Sequence, residues 1–138
     1  MQATGTFTVT SFLPATVDPP PAALATALPV GVATMEKRFE GDVSGRSATL
    51  FTSAFDRERG VGTYVAMESF EGSLNGVAGT FNFVHSATTH GTDRVGEHFV
   101  IVPASGTGAL AGISGSGRIA IDDDGRRRIR FDYELSGR

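Results

Sequence analysis

Large apolar side chains return at every second position in stretch after stretch of this chain, and glycine-rich turns separate the stretches. "GTFNFVHSATTHG", residues 79–91, shows the pattern: Phe81 and Phe83 project one way, and Thr80, Asn82 and Val84 the other. A period of two belongs to a strand with one buried face. Near the N-terminus Thr4, Thr6, Thr8 and Thr10 share one face, with Phe7 and Val9 on the opposite one. The 18 glycines, set among many Thr, Val and Phe, indicate an all-β chain with tight turns.

Eight strands are predicted. The first starts at the N-terminus, and the rest cover about 32–40, 47–55, 61–71, 78–87, 94–102, 115–121 and 126–135. "DRERG", Asn75-Gly76 and "DDDG" are turn sequences, and Asn-Gly is a strong hairpin signal. Successive hairpins favour a single eight-stranded antiparallel up-and-down β-barrel, which removes both sheet edges at once. A two-sheet sandwich is the competing architecture. An eight-stranded barrel is either filled by side chains or holds one small ligand. Residues 13–31, "LPATVDPPPAALATALPVG", break the alternation. Prolines do not sit inside a sheet, and "PAALATAL" has the makings of one or two helical turns. The segment is read as a crossover loop, or as a lid because Leu24, Leu28 and Val30 are apolar.

The 138 residues fit one domain, 1–138, with room for a real core. The absence of cysteine removes disulfides and thiolate chemistry and agrees with a reducing compartment. The net charge of −3 gives no reason to expect nucleic acid or anionic lipid as a partner. No basic segment followed by an apolar run opens the chain, so no signal peptide is expected. No stretch approaches the roughly 20 apolar residues of a membrane helix. A soluble cytoplasmic protein without cofactor is the expectation.

Four segments carry a resemblance. "RFEGDVSGRS" (38–47), "GTYVAMESFEGSLNGVAGTFNFVHS" (62–86), "VPASGTGALAGISGSG" (102–117) and "RFDYEL" (130–135) make the chain resemble the bacterial DUF3224 family of unknown function. The resemblance implies a small β-barrel related in fold to allene oxide cyclase. Two departures from the family pattern are the Pro/Ala-rich segment 13–31 and Phe99, which stands where tryptophan is expected. Allene oxide cyclase and similar small barrels bind an apolar reactive substrate and hold it folded while it closes. The resemblance implies that style of chemistry only by analogy of fold, and it transfers no catalytic residue.

Three ionisable side chains share the apolar faces: Glu68, His85 and Glu97. Glu68 lies between Ala66 and Phe70. A turn centred on Asn75-Gly76 brings it near residue 83, with His85 diagonally within reach. A Glu68–His85 pair in a barrel interior suits proton transfer, because the carboxylate orients the imidazole and raises its basicity. The competing reading is a buried structural hydrogen bond. Glu97 reaches the same cavity or sits at its rim. Tyr64, Phe70, Phe81, Phe83, Phe99, Phe131 and Tyr133, with Glu97, are the candidate ligand-contacting set. Tyr133 also fits the ordinary use of tyrosine, an apolar body with a wet hydroxyl.

Other patterns lead away from function. His85, His90 and His98 occupy different faces, so no metal site is expected. Glu68 and Glu97 resemble a glycosidase pair only in residue type, and a narrow barrel suits no polymeric sugar. "SGTGALAGISGSG" lacks the spacing and the following helix of a phosphate loop. Arg126, Arg128 and Arg130 share one face across a turn from Asp122–Asp124 and read as a self-paired charge ladder. Val100 and Val102 oppose Phe99 and Ile101, and an outward apolar stripe suggests a homodimer or other small homo-oligomer, or else a face covered by the Pro-rich segment.

The expected function is therefore small-molecule binding in an apolar barrel cavity. Two forms of it are carried forward: a cofactor-free isomerase or cyclase using Glu68 and His85, and a non-catalytic carrier of a hydrophobic ligand. A packed barrel that acts through its outer surface is the third possibility.

Overall fold

The computed structural model describes residues 1–91 and 93–136; Thr92 and the last two residues of the expected domain lie outside them. The described residues form nine strands: β1 (Gln2–Ala15), β2 (Val30–Gly41), β3 (Val43–Asp56), β4 (Val61–Leu74), β5 (Val77–His90), β6 (Asp93–Ile101), β7 (Thr107–Gly108), β8 (Ile113–Ile121) and β9 (Arg127–Leu135). All pairings are antiparallel within one sheet. Eight strands close a ring in the order β1-β2-β3-β4-β5-β6-β8-β9, with β9 returning to β1 through Gly5↔Ile129 and its neighbours. The two-sheet sandwich is therefore not formed. Among the described residues no helix is long and apolar enough to cross a membrane.

Alternation places one side-chain row of each strand inside the ring. Phe39, Phe70, Phe81, Phe83, Phe99 and Phe131 meet there in a buried cluster. The rings of Phe83 and Phe99 stack with centroids 4.9 Å apart, and Phe131 packs edge-on against both. Burying each phenyl group contributes roughly 1.5–3 kcal/mol, and the edge-on geometry adds to that. Below this layer Ala3, Val43, Leu74, Leu110 and Ile113 close one end of the ring. Gly45 and Gly72 face each other across β3 and β4 at that end. A Cβ on Gly72 would lie 2.0 Å from the Ser44 carbonyl oxygen, so the two backbones meet only because neither residue has a side chain.

Three expectations are corrected. The connection 102–112 is more than a turn: it holds the short strand β7, paired to Gly79 and Thr80 of β5, and plants Leu110 in the core. A two-residue strand has no detectable alternation, so the sequence pattern passes over it. Residues 16–29 form no helical turns. They leave and rejoin the ring at the end opposite Leu110 and stand in solvent, with Leu24 85% exposed. Val100 and Val102 are half-buried, so the expected outward apolar stripe on β6 is weak. More exposed apolar side chains stand elsewhere on the outer wall, among them Leu50, Val65 and Met67, which lie together on β3 and β4.

Candidate functional site

The unfilled end of the ring holds a pocket of about 220 Å³. All eight ring strands contribute to it: Phe7 and Val9 from β1, Met35 and Lys37 from β2, Phe51 from β3, Tyr64 and Ala66 from β4, His85 from β5, Arg94 from β6, Ile119 and Ile121 from β8, and Arg127 from β9. The volume lies below the roughly 300–1,000 Å³ of pockets that enclose drug-sized ligands.

His85 occupies the pocket wall directly opposite Ala66 and Phe99 in the register of the sheet. Its Nε2 lies 2.8 Å from Glu97 Oε2, and its Nδ1 lies 3.3 Å from the Tyr64 hydroxyl. Glu97 Oε2 also accepts the backbone N–H of Ile119 at 3.0 Å. A carboxylate that accepts at Nε2 fixes the proton there and leaves Nδ1 to accept from the Tyr64 O–H. The result is a directed chain, Tyr64 to His85 to Glu97 to the backbone of β8. Burial pushes the His85 pKa below its usual value, against the upward pull of Glu97. Burial also raises the Tyr64 pKa, while Arg94 beside it pulls the other way. The wall therefore presents a neutral imidazole and a protonated phenol at neutral pH.

A bulge sets this geometry. β5 and β6 pair Ser86 with His98 and then Thr88 with Val95, so Gly96 and Glu97 stand opposite Ala87 alone. Gly96 has φ +63°, the left-handed region that suits glycine at a bulge. Beyond the bulge the faces exchange: Val95 turns outward and Arg94 enters the pocket.

Glu68 does not meet His85. Its carboxylate pairs with the ammonium of Lys37, and both side chains are buried, 0% and 7% exposed. The Lys37 ammonium also sits 4.9 Å from the centroid of the Phe7 ring. Thr49 lies directly across from Glu68 on β3. Glu68 Oε2 and the hydroxyls of Thr49 and Ser47 are buried without a hydrogen-bond partner. The carboxylate of the His85 pair is Glu97, and Glu68 belongs to a separate ion pair that reaches across β3, from β4 to Lys37 on β2. The hairpin register does set Glu68 opposite Phe83, but its carboxylate turns to Lys37, and the glutamate that reaches His85 comes from β6.

Of the candidate ligand-contacting residues, Tyr64 lines the pocket and Glu97 holds its histidine. Phe70, Phe81, Phe83, Phe99, Phe131 and Tyr133 are packed in the core, away from the pocket lining. The Tyr133 hydroxyl accepts a hydrogen bond from Asn75 Nδ2 at 2.9 Å near the closed end. Lys37, Phe51, Arg94 and Arg127 are pocket residues that the sequence analysis missed. Lys37 was legible, since it alternates with Met35 and Phe39. Arg127 alternates with Ile129 and Phe131 in the same way. Arg94 was hidden by the bulge at Gly96.

No curated protein matches the chain. Among solved structures, a DUF3224-family protein of unknown function from Shewanella oneidensis MR-1 is similar at 29% identity. The match has a TM-score of 0.82 and covers 99% of this chain and 98% of that one. The family model described as a protein of unknown function, DUF3224, matches residues 3–133. With nearly its whole length matched, the chain belongs to the DUF3224 family.

Proposed function

We propose that this protein is a small-molecule-binding β-barrel of the allene oxide cyclase-like kind, and that its ligand lies in the unfilled end against Tyr64 and His85. One observation carries the reading: a ring packed with phenyl groups at one end leaves a pocket at the other, and all eight ring strands line it. A packed ring acting only through its outer surface would have no such cavity. The apolar lining from Phe7, Val9, Met35, Phe51, Ile119 and Ile121 favours an apolar ligand body.

A second reading, turnover without a cofactor, is favoured by the Tyr64–His85–Glu97 chain. With substrate bound, the Tyr64 hydroxyl turns from Nδ1 to a developing oxyanion, the freed Nδ1 of the neutral imidazole takes up a substrate proton and returns it at another carbon, and Glu97 stabilises the imidazolium in between. That is the chemistry of an isomerase or cyclase. A carrier needs the same pocket but no proton acceptor. A cytoplasmic setting accords with the cysteine-free composition. A small homo-oligomer would use the outer apolar row of Leu50, Val65 and Met67.

Native mass spectrometry of the protein purified from its own host tests the reading. The expected result is a co-purifying small molecule that is lost or greatly reduced in His85→Ala. A bare wild-type protein that also takes up no hydrophobic dye would refute the pocket reading.

A further inference from the structure

The pocket lining is charged in one sense only. Lys37, Arg94 and Arg127 enter it from β2, β6 and β9, and no carboxylate lines it. The two nearby acids are already engaged, Glu68 with Lys37 and Glu97 with His85 and the Ile119 N–H. Lys37 is balanced by Glu68, and because His85 is neutral Glu97 remains the one negative charge beside two arginines, Arg94 and Arg127, so the wall keeps an excess of positive charge. Among the described residues neither arginine takes part in an ion pair.

The contrast with the rest of the "RRRIR" run is sharp. Arg126, Arg128 and Arg130 pair with Asp124, Asp122 and Asp132. Arg127 turns to the pocket and has no acidic partner there. Arg94 donates from Nη1 to the Ile119 carbonyl at 3.1 Å, yet its Nε is buried without a partner. A buried guanidinium N–H left unpaired is a cost that an incoming acceptor removes.

On the reading that this pocket binds a small molecule, we infer that its ligand is an apolar acid whose carboxylate is held by Arg94 and Arg127, its apolar body lying along Phe7, Met35 and Phe51. Guanidinium groups match carboxylate oxygens in geometry as well as charge. His85 and Tyr64 then face the part of the ligand next to the carboxylate. A reaction at that wall would move a proton or close a bond close to the acid group.

Matched pairs of probes separate this inference from the underlying reading. Straight-chain carboxylates of six to ten carbons and 3-phenylpropanoate are titrated calorimetrically beside the corresponding primary alcohols. In the wild-type protein the acid of the best-binding pair should bind about 10-fold or more tightly than its alcohol. The preference should shrink in Arg127→Gln, whose side chain is exposed enough for folding to be unaffected, and in Arg94→Gln. Raised salt should weaken acid binding and leave alcohol binding unchanged. Alcohols binding as well as their acids would overturn the inference and leave the pocket reading standing. No binding by any member would overturn both. An acid preference undiminished in folded Arg127→Gln and Arg94→Gln would also overturn the assignment.

Discussion

The Lys37–Glu68 pair and the His85–Glu97 pair sit in one interior and obey different balances. Lys37 and Glu68 are both removed from water, so each depends on the other to offset its desolvation. Glu68→Leu should leave an uncompensated ammonium and cost about 3–5 kcal/mol in urea unfolding. The double variant Lys37→Met with Glu68→Leu should recover most of that loss, since apolar replacements of similar volume are often neutral. A double variant as unstable as the single one would show that the ion pair itself is required.

His85 makes a separate prediction about pH. Its folded pKa is lowered by burial from the ordinary 6.5. As pH falls through 6.5 the unfolded chain takes up a proton that the folded protein resists, so stability declines until the folded pKa is passed. The slope from one such proton is at most about 1.4 kcal/mol per pH unit. Unfolding curves between pH 7.5 and 5.5 should show this component in the wild type and lose it in His85→Gln. Equal slopes in the two proteins would contradict a neutral buried imidazole.

At the level of elements, the weak place in the ring is the seam between β6 and β8. Their backbones share one registered pair, Val100↔Ser116, whereas the seams on either side carry long ladders. Side chains complete the join: Glu97 accepts the Ile119 N–H and Arg94 donates to the Ile119 carbonyl. The residues that hold the seam are thus the ones that shape the pocket. Glu97→Ala should strand the Ile119 amide and cost about 1–3 kcal/mol. Hydrogen exchange at Ile119 should quicken while that at Ile129, in the β9 ladder, stays slow.

The same elements show what alternation can and cannot reveal. Phe81, Phe83 and His85 read correctly as one inward face because β5 runs without interruption there. Asn75-Gly76 read correctly as the β4–β5 turn because the pair adopts positive φ at both residues. Arg94 could not be placed, since one extra residue at Gly96 reverses the face of everything before it. Leu110 was missed because an irregular connection puts it in the core, where no period marks it. The pairing of Glu68 with Lys37 needed the β2–β3–β4 register, which hydrophobic pattern alone does not supply.

For the whole molecule, the ring is asymmetric along its length. Phenyl groups, Leu74, Leu110 and Ile113 fill one end, and a pocket with a histidine wall lined by Arg94 and Arg127 occupies the other. Sequence reasoning reached the ring and the inward face on which His85 lies. It spread the ligand-contacting residues over both ends because alternation tells inside from outside and carries no information on height along the ring axis. Phe70 and Tyr64 share a face of β4, yet Phe70 is in the packed layer and Tyr64 lines the pocket.

That asymmetry is tested most directly by mapping amide and methyl chemical shifts while 3-phenylpropanoate is titrated in. The account predicts shifts concentrated at Phe7, Lys37, Phe51, Tyr64, His85 and Ile119, with Leu74, Leu110 and Ile113 unmoved. Shifts confined to the outer row of Leu50, Val65 and Met67, or none at saturating probe, would contradict an internal ligand site.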